Sequence, residues 1–237
     1  MNSRLVTLVL VVPALAAAQT ADRPIEAPHI GAVSLGSAPA IDGDVLGDAA
    51  WTDVQPASGF WQVQPRAGSP STQRTEVYIG FTETALYVGV VAYDDNPDGI
   101  IVADSRRDSS LDDTDAFLFV IDGLRDRQNG YVFGTNAAGI EYDGQVTKEG
   151  TSDNFGSGGG AFNLNWDGTW RVQAKISDVG WSAEFEIPFR TLRYGTAETQ
   201  DWGINFQRNI RRNNEIVYWA PLDHNRNLYR VSEAGLL

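Results

Sequence analysis

The sequence predicts an all-β fold, an antiparallel β-sandwich with one or two short helices. Three observations lead there. Short runs of alternating apolar residues recur along the chain, turn-forming residues separate them, and almost no segment carries a helical apolar period.

Taken in order, residues 1–18 read as an export signal. Arg4 supplies the positive start, Leu5 to Leu15 the apolar stretch, and Ala16-Ala17-Ala18 the small residues before a cut at Gln19. The apolar run is too short for a stable membrane span. Residues 19–36 contain Pro24, Pro28 and Gly31 and little periodicity, so they are expected to form a loose leader with one short strand. Residues 37–237 form the sandwich. Val77, Ile79 and Phe81 alternate with Glu76, Tyr78 and Gly80. Ala85 to Tyr93 is apolar on both parities, as in a strand covered on both sides. Strands are also expected over 115–121 and 131–135, joined by the polar turn 122–130.

The clearest hairpin lies between Trp170 and Phe189. Trp170, Val172, Ala174 and Ile176 share one face, and after the turn at 177–180 Trp181, Ala183, Phe185 and Ile187 resume it. Antiparallel pairing then sets Ala174 against Ala183, Val172 against Phe185, and Arg171 against Glu186, a favourable cross-strand charge pair. Ser182, Glu184 and Glu186 fall on the polar parity. Further strands are expected over 202–210 and 216–220. Short helices are expected at 47–54 and 189–193, and the Gly156–Gly160 run is a flexible loop.

Composition narrows the function. The 237 residues carry a formal charge of −13, and loss of the signal with Arg4 makes the chain one unit more negative. Such a surface repels phosphate backbones and argues against nucleic acid; neutral glycans and divalent cations fit better. With no cysteine, disulfides and thiolate metal sites are excluded. The two histidines, His29 and His224, lie far apart, and no nucleophile elbow, Walker loop or dinucleotide loop is present. The one methionine, Met1, leaves with the signal, which removes a methionine ligand for haem.

An ordered set of blocks resembles the family 9 carbohydrate-binding modules. More closely, it resembles the family 9-like amino-terminal domain of an uncharacterised bacterial family whose later part is an outer-membrane β-barrel. The blocks are Ile41-Asp42-Gly43-Asp44 with Leu46, Asp48 and Trp51; Ala85 to Val90; Asp112 to Phe117 leading into Val120-Ile121-Asp122; Tyr131-Val132-Phe133 with Asn136; Trp166 to Trp170; Gly180 to Glu184 with Ile187-Pro188-Phe189; and Trp202 to Arg208. They span about residues 37–237. The resemblance implies a glycan-binding sandwich, often with structural calcium, exported to the periplasm or outer membrane and supporting polysaccharide catabolism. Ser232 to Leu237 resembles the junction where such relatives continue into a carboxyl-terminal barrel.

The sugar clamp of that family departs here. Its two tryptophans correspond to about Leu111–Asp112 and to Leu228 beside Tyr229, a strand glutamate to about Leu118, and a strand arginine to Gly134; Gln207 matches a polar contact. The candidate saccharide residues are therefore Trp61, Gln207, Trp219 and Tyr229, since aromatic rings stack on sugar C–H faces and amides meet hydroxyls. Trp51 reads as a core plug.

For calcium, which takes six to eight oxygen ligands, the candidates are Asp112, Asp113, Asp115, Asp122 and Asp126. Asp94, Asp95, Asp104 and Asp108 add to the acidic crowding. The competing reading is a solvated acidic loop answered by Arg106, Arg107, Arg125 and Arg127. Glycosidase chemistry needs two carboxyl groups about 5 to 9.5 Å apart. Glu184 and Glu186 have that reach at a rise of about 3.3 Å per residue, but pairing of Glu186 with Arg171 favours a salt bridge. The function expected is non-catalytic glycan recognition; the alternatives are a structural or plug domain of a barrel protein, and a glycoside hydrolase.

Overall fold

The computed structural model describes residues 26–151 and 162–237. The export signal expected over 1–18 and the Gly156–Gly160 loop lie outside the described residues.

Two stacked sheets form the molecule. The five-stranded sheet has the order β1 (Val33–Ser34), β3 (Thr75–Phe81), β4 (Ala85–Tyr93), β10 (Gly180–Pro188), β9 (Arg171–Ser177). The eight-stranded sheet runs β2 (Trp61–Gln64), β12 (Glu215–Tyr218), β11 (Gly203–Ile210), β5 (Ala116–Asp122), β6 (Gly130–Asn136), β7 (Tyr142–Val146), β8 (Phe162–Asn163), with β13 (Gly235–Leu236) also on β11. All named strand pairs are antiparallel except β1 with β3. The two expected helices are single 3-10 turns, Ala49–Trp51 and Phe189–Thr191.

Register follows the apolar alternation. In the β9–β10 hairpin Ala183 faces Ala174, Phe185 faces Val172 and Glu186 faces Arg171. Arg171 Nε donates to Glu186 Oε2 at 2.6 Å. The central core takes Val77, Ile79, Val88, Val90, Trp181, Phe185 and Ile187 from one sheet, and Phe117, Phe119, Phe133, Ile204 and Phe206 from the other. Phe119 meets Phe185 edge-on across the layers, with ring centroids 5.1 Å apart. Burying this area supplies the dominant stabilisation.

One charged side chain joins the layers. Arg208 lies on the inward face of β11 with no exposure, and burial pushes its pKa down. Its guanidinium donates to the carbonyls of Arg74 at 2.9 Å and Tyr93 at 2.7 Å, both flanking strands of the opposite sheet. These bonds compensate the desolvation that a buried cation otherwise incurs.

The leader is tied into the fold. Ile30 N–H donates to the Leu236 carbonyl at 2.9 Å and Leu236 N–H to the Pro28 carbonyl at 3.0 Å. Leu35 N–H donates to Phe81 at 2.9 Å, extending the β1–β3 pairing.

Both outer faces of the sandwich carry an apolar layer of their own. On the five-stranded sheet, Val45, Trp51 and Val54 cover Tyr87 and Val91. On the eight-stranded sheet, Leu111, Leu222, Leu228 and Val231 cover Leu118, Val120 and Val132. Among the described residues no helix is long and apolar enough to cross a membrane.

Candidate functional site

Paired residues on neighbouring strands project to the same face. Successive registers therefore align one row across the outer face of the eight-stranded sheet: Trp61, Tyr218, Gln207, Leu118, Gly134 and Tyr142. Two of the sequence candidates, Trp61 and Gln207, belong to this row. A third, Tyr229, joins it from the loop after β12. Its ring stacks on Phe162 with centroids 4.5 Å apart and planes within 10°, and Phe162 in turn stacks on Tyr142 at 6.2 Å. The fourth, Trp219, is the residue after Tyr218 and points to the opposite side, packing on Phe206 in the central core at 5.2 Å.

Two expectations about exposure are corrected. Trp61 is 8% exposed and Trp219 4%, so neither offers a free ring face. Trp219 shares the inward parity of Val217, and Trp61 is buried on a strand bridged to Tyr218 and Pro70. The accessible part of the row is Gln207, Tyr142, Phe162 and Tyr229.

Several polar groups converge there. The Tyr142 and Tyr229 hydroxyls interact with one another, and the Tyr218 hydroxyl interacts with the Leu228 backbone. Burial raises the pKa of all three phenols, and the nearby Asp112 carboxylate raises them further. They therefore stay neutral, able to donate to and accept from a hydroxyl. Gln207 Nε2 donates to Asn209 Oδ1 at 2.8 Å, and Asn209 Nδ2 to the Leu111 carbonyl at 2.9 Å. The patch thus offers aromatic rings, neutral hydroxyls, an amide and an exposed carboxylate.

All positions that correspond to the family 9 clamp come together on this face, but their chemistry differs. Leu111, Leu118 and Leu228 are 3%, 6% and 2% exposed and sit inside the covering apolar layer. A Cβ on Gly134 would meet Leu111 Cδ1 and Leu118 Cγ, each at 2.9 Å. An arginine has no room there. Tyr142, Tyr218 and Phe162 are additional residues of the patch. The alternation of Tyr142, Gly144 and Val146 with Asp143 and Gln145 was the signal that could have found β7.

The acidic candidates separate into two groups. Asp112, Asp113 and Asp115 precede β5 and Asp122 ends it, which places them about 20 Å apart at about 3.3 Å per residue. Asp113 pairs with Arg211 at 3.1 Å. Buried Asp115 accepts the Ile101 amide at 2.8 Å, and Asp122 accepts the amides of Arg127 at 2.7 Å and Asp126 at 3.3 Å. Asp126 accepts those of Gln128 and Asn129, both at 2.8 Å. These five carboxylates do not make one calcium cage, and among the described residues no three His, Asp or Glu side chains are arranged to hold a metal ion. In the 104–108 loop the arginines answer the acids: Arg106 pairs with Asp104, and Arg107 with Glu141, Asp143 and Asp167.

Glu184 also corrects an expectation. On its parity it should face solvent; instead it is fully buried beneath the 41–51 segment. It accepts Trp51 Nε1–H at 2.9 Å and the amides of Gly43 at 3.0 Å and Asp42 at 3.2 Å, and burial holds its pKa above the usual carboxylate value. A side chain so enclosed and so fully bonded cannot reach a substrate. Glu186 is engaged by Arg171.

No protein-family model matches the chain, and no curated protein sequence matches it. Solved structures do. A protein provisionally described as carbohydrate-binding, from Bacteroides uniformis, superposes with a TM-score of 0.68 at 11% identity, over 90% of this chain and 99% of that one. A family 9 carbohydrate-binding module from Caldicellulosiruptor kristjanssonii, in complex with cellotriose, gives a TM-score of 0.55 at 19% identity, over 86% and 90%. Its glucose complex gives 0.55 at 20%, over 86% and 92%. With the two-sheet order and register above, the chain has the β-sandwich fold of the family 9 carbohydrate-binding modules.

Proposed function

We propose that this chain is a non-catalytic glycan-recognition module. Its saccharide face is the outer face of the eight-stranded sheet, from Gln207 to the Tyr142–Phe162–Tyr229 stack. One observation carries the reading: aromatic rings and neutral hydroxyls converge beside the positions corresponding to the clamp of a fold whose solved members include complexes with cellotriose and glucose. Rings receive sugar C–H faces, while the phenols, Gln207 and Asp112 receive hydroxyls. Export to a bacterial envelope, in support of polysaccharide breakdown, is proposed from Arg4, Leu5–Leu15 and Ala16–Ala18 together with the barrel-linked resemblance. Calcium would have to be held at one end of β5 alone, by no more than two of these carboxylates, such as Asp122 and Asp126, with backbone oxygens completing the set.

Affinity gel electrophoresis in xylan, mixed-linkage glucan and hydroxyethyl cellulose tests the face. Retardation by at least one of them, lost in Tyr229→Ala, is the expected result. No retardation by any polysaccharide would favour the second reading, a structural domain that kept the sandwich and filled the clamp. The three leucines at clamp positions support that reading.

A further inference from the structure

A second cavity lies on another flank of the sandwich, against the inward side of the strand that contributes Tyr218 to the face above. It is an open cleft of about 460 Å³. One wall is the leader from Pro28 to Gly31, the other the loop from Asp53 to Ser58, and Trp219 closes the floor. Main-chain bonds fix both walls. Pro28 and Ile30 are tied to Leu236, while Ala57 exchanges two bonds with Val77, at 2.8 and 2.9 Å. The cavity is therefore pre-formed, and a ligand entering it meets little cost of ordering.

Its lining has a definite chemistry. His29, Asp53, Gln55 and Ser58 line the cleft, and their side chains form no hydrogen bond or ion pair among the described residues. Between them lie Pro28 and Pro56, with buried Trp219 beneath. A carboxylate, an amide, an imidazole and a hydroxyl around a few apolar rings suit a compact polyhydroxylated ring. Asp53, in a chain of charge −13, disfavours anions.

We propose that this cleft is a second saccharide site, taking one neutral pyranose unit. Asp53 and Gln55 bind its hydroxyls, and Pro28 and Pro56 contact its C–H face. Tyr218 and Trp219 are successive residues pointing to opposite sides, so the two sites lie back to back across one strand. The proposal needs only this cleft and stands whether or not the tyrosine face binds.

Residue-resolved 1H–15N shift titrations of the full chain with glucose, cellotriose and xylotriose test it. The Gly31 and Ser58 amides and the Trp219 indole N–H are expected to shift with at least one sugar. In the Asp53→Ala/Gln55→Ala double variant, which alters only exposed side chains, affinity read at those signals should fall tenfold or more. Shifts at Gly134 and Tyr229 should be untouched by that variant and lost in Tyr229→Ala. Silence at Gly31, Ser58 and Trp219 with all three sugars overturns the proposal, as does unchanged affinity there in the double variant. Shifts at the cleft with a silent tyrosine face would uphold it and overturn the face proposed above.

Discussion

The two outer faces of the sandwich solve one packing problem in different ways. Each sheet presents apolar residues outward as well as inward, and each is covered by loop residues. On the five-stranded sheet the cover is closed. Trp51 fills the layer at 3% exposure, its N–H and the amides of Asp42 and Gly43 end on Glu184, and Ser182 Oγ donates to the Gly43 carbonyl at 2.6 Å. Gly43 allows this approach: its φ is +84°, and a Cβ there would meet the Ala174 backbone at 2.7 Å. On the eight-stranded sheet the leucines close only part of the layer. Beside them the Tyr142 and Tyr229 phenols, Gln207 and exposed Asp112 keep hydrogen-bonding capacity at the surface. Where polar groups bond one another, the face is structure; where they remain partly available, it is free to meet a ligand.

The largest expected effect is on the closed face. Trp51→Ala should cost about 3–5 kcal/mol in denaturant unfolding, since it opens a cavity and orphans Glu184, yet leave sugar titrations unchanged. A cost below about 1 kcal/mol would show that the cover is not sealed.

Glu184→Gln should cost about 1–3 kcal/mol, because an amide cannot accept from three donors. It should also change the pH profile. The pKa of folded Glu184 lies above its ordinary value near 4.5, so the folded state holds more protons between those two values. Stability must fall as pH rises through that window. Buried Asp115, Asp122 and Asp143 shift the same way, each chiefly through burial. Melting temperature should therefore drop from pH 4.5 upward, and less steeply in Glu184→Gln; parallel profiles would remove Glu184 as a contributor.

On the open face the balance reverses. Tyr229→Ala should weaken cellotriose binding roughly tenfold, which is about 1.4 kcal/mol. Its cost to stability should stay near the 0.5–1.5 kcal/mol typical of an aromatic pair. Unfolding by several kcal/mol with no change in binding would make this face a cover like the other. The smallest effect is expected from Arg171→Ala, under about 1 kcal/mol in the same unfolding assay, because the Arg171 side chain of the pair is 68% exposed.

Much of the sandwich was legible because period-two alternation is a strong local signal. The 170–189 hairpin, its register and its charge pair follow from parity alone. Parity names a side of a sheet, however, not what lies over that side. Glu184 was read as a solvent-facing carboxylate because the 41–51 segment that buries it comes 142 residues earlier for Asp42. Strand β7 was missed because Asp143, Gly144 and Gln145 dilute its alternation. Trp219 was readable, since it shares the parity of Val217, but an isolated tryptophan near a strand end invites a binding role. The clamp positions could be placed by resemblance. That leucines there would sink into one buried layer, leaving tyrosines beside it, depends on loop packing that no local pattern encodes.

The bonds that tie Pro28 and Ile30 to Leu236 have a further consequence. They hold the two limits of the sandwich within one hydrogen bond of each other, on the same rim. A short glycine-serine bridge would span that gap, so a version of residues 28–236 relinked there and reopened at the 177–180 turn is expected to fold. Because His29 pairs with Leu236 in parallel, pulling the two limits apart loads these bonds in shear, together rather than one after another.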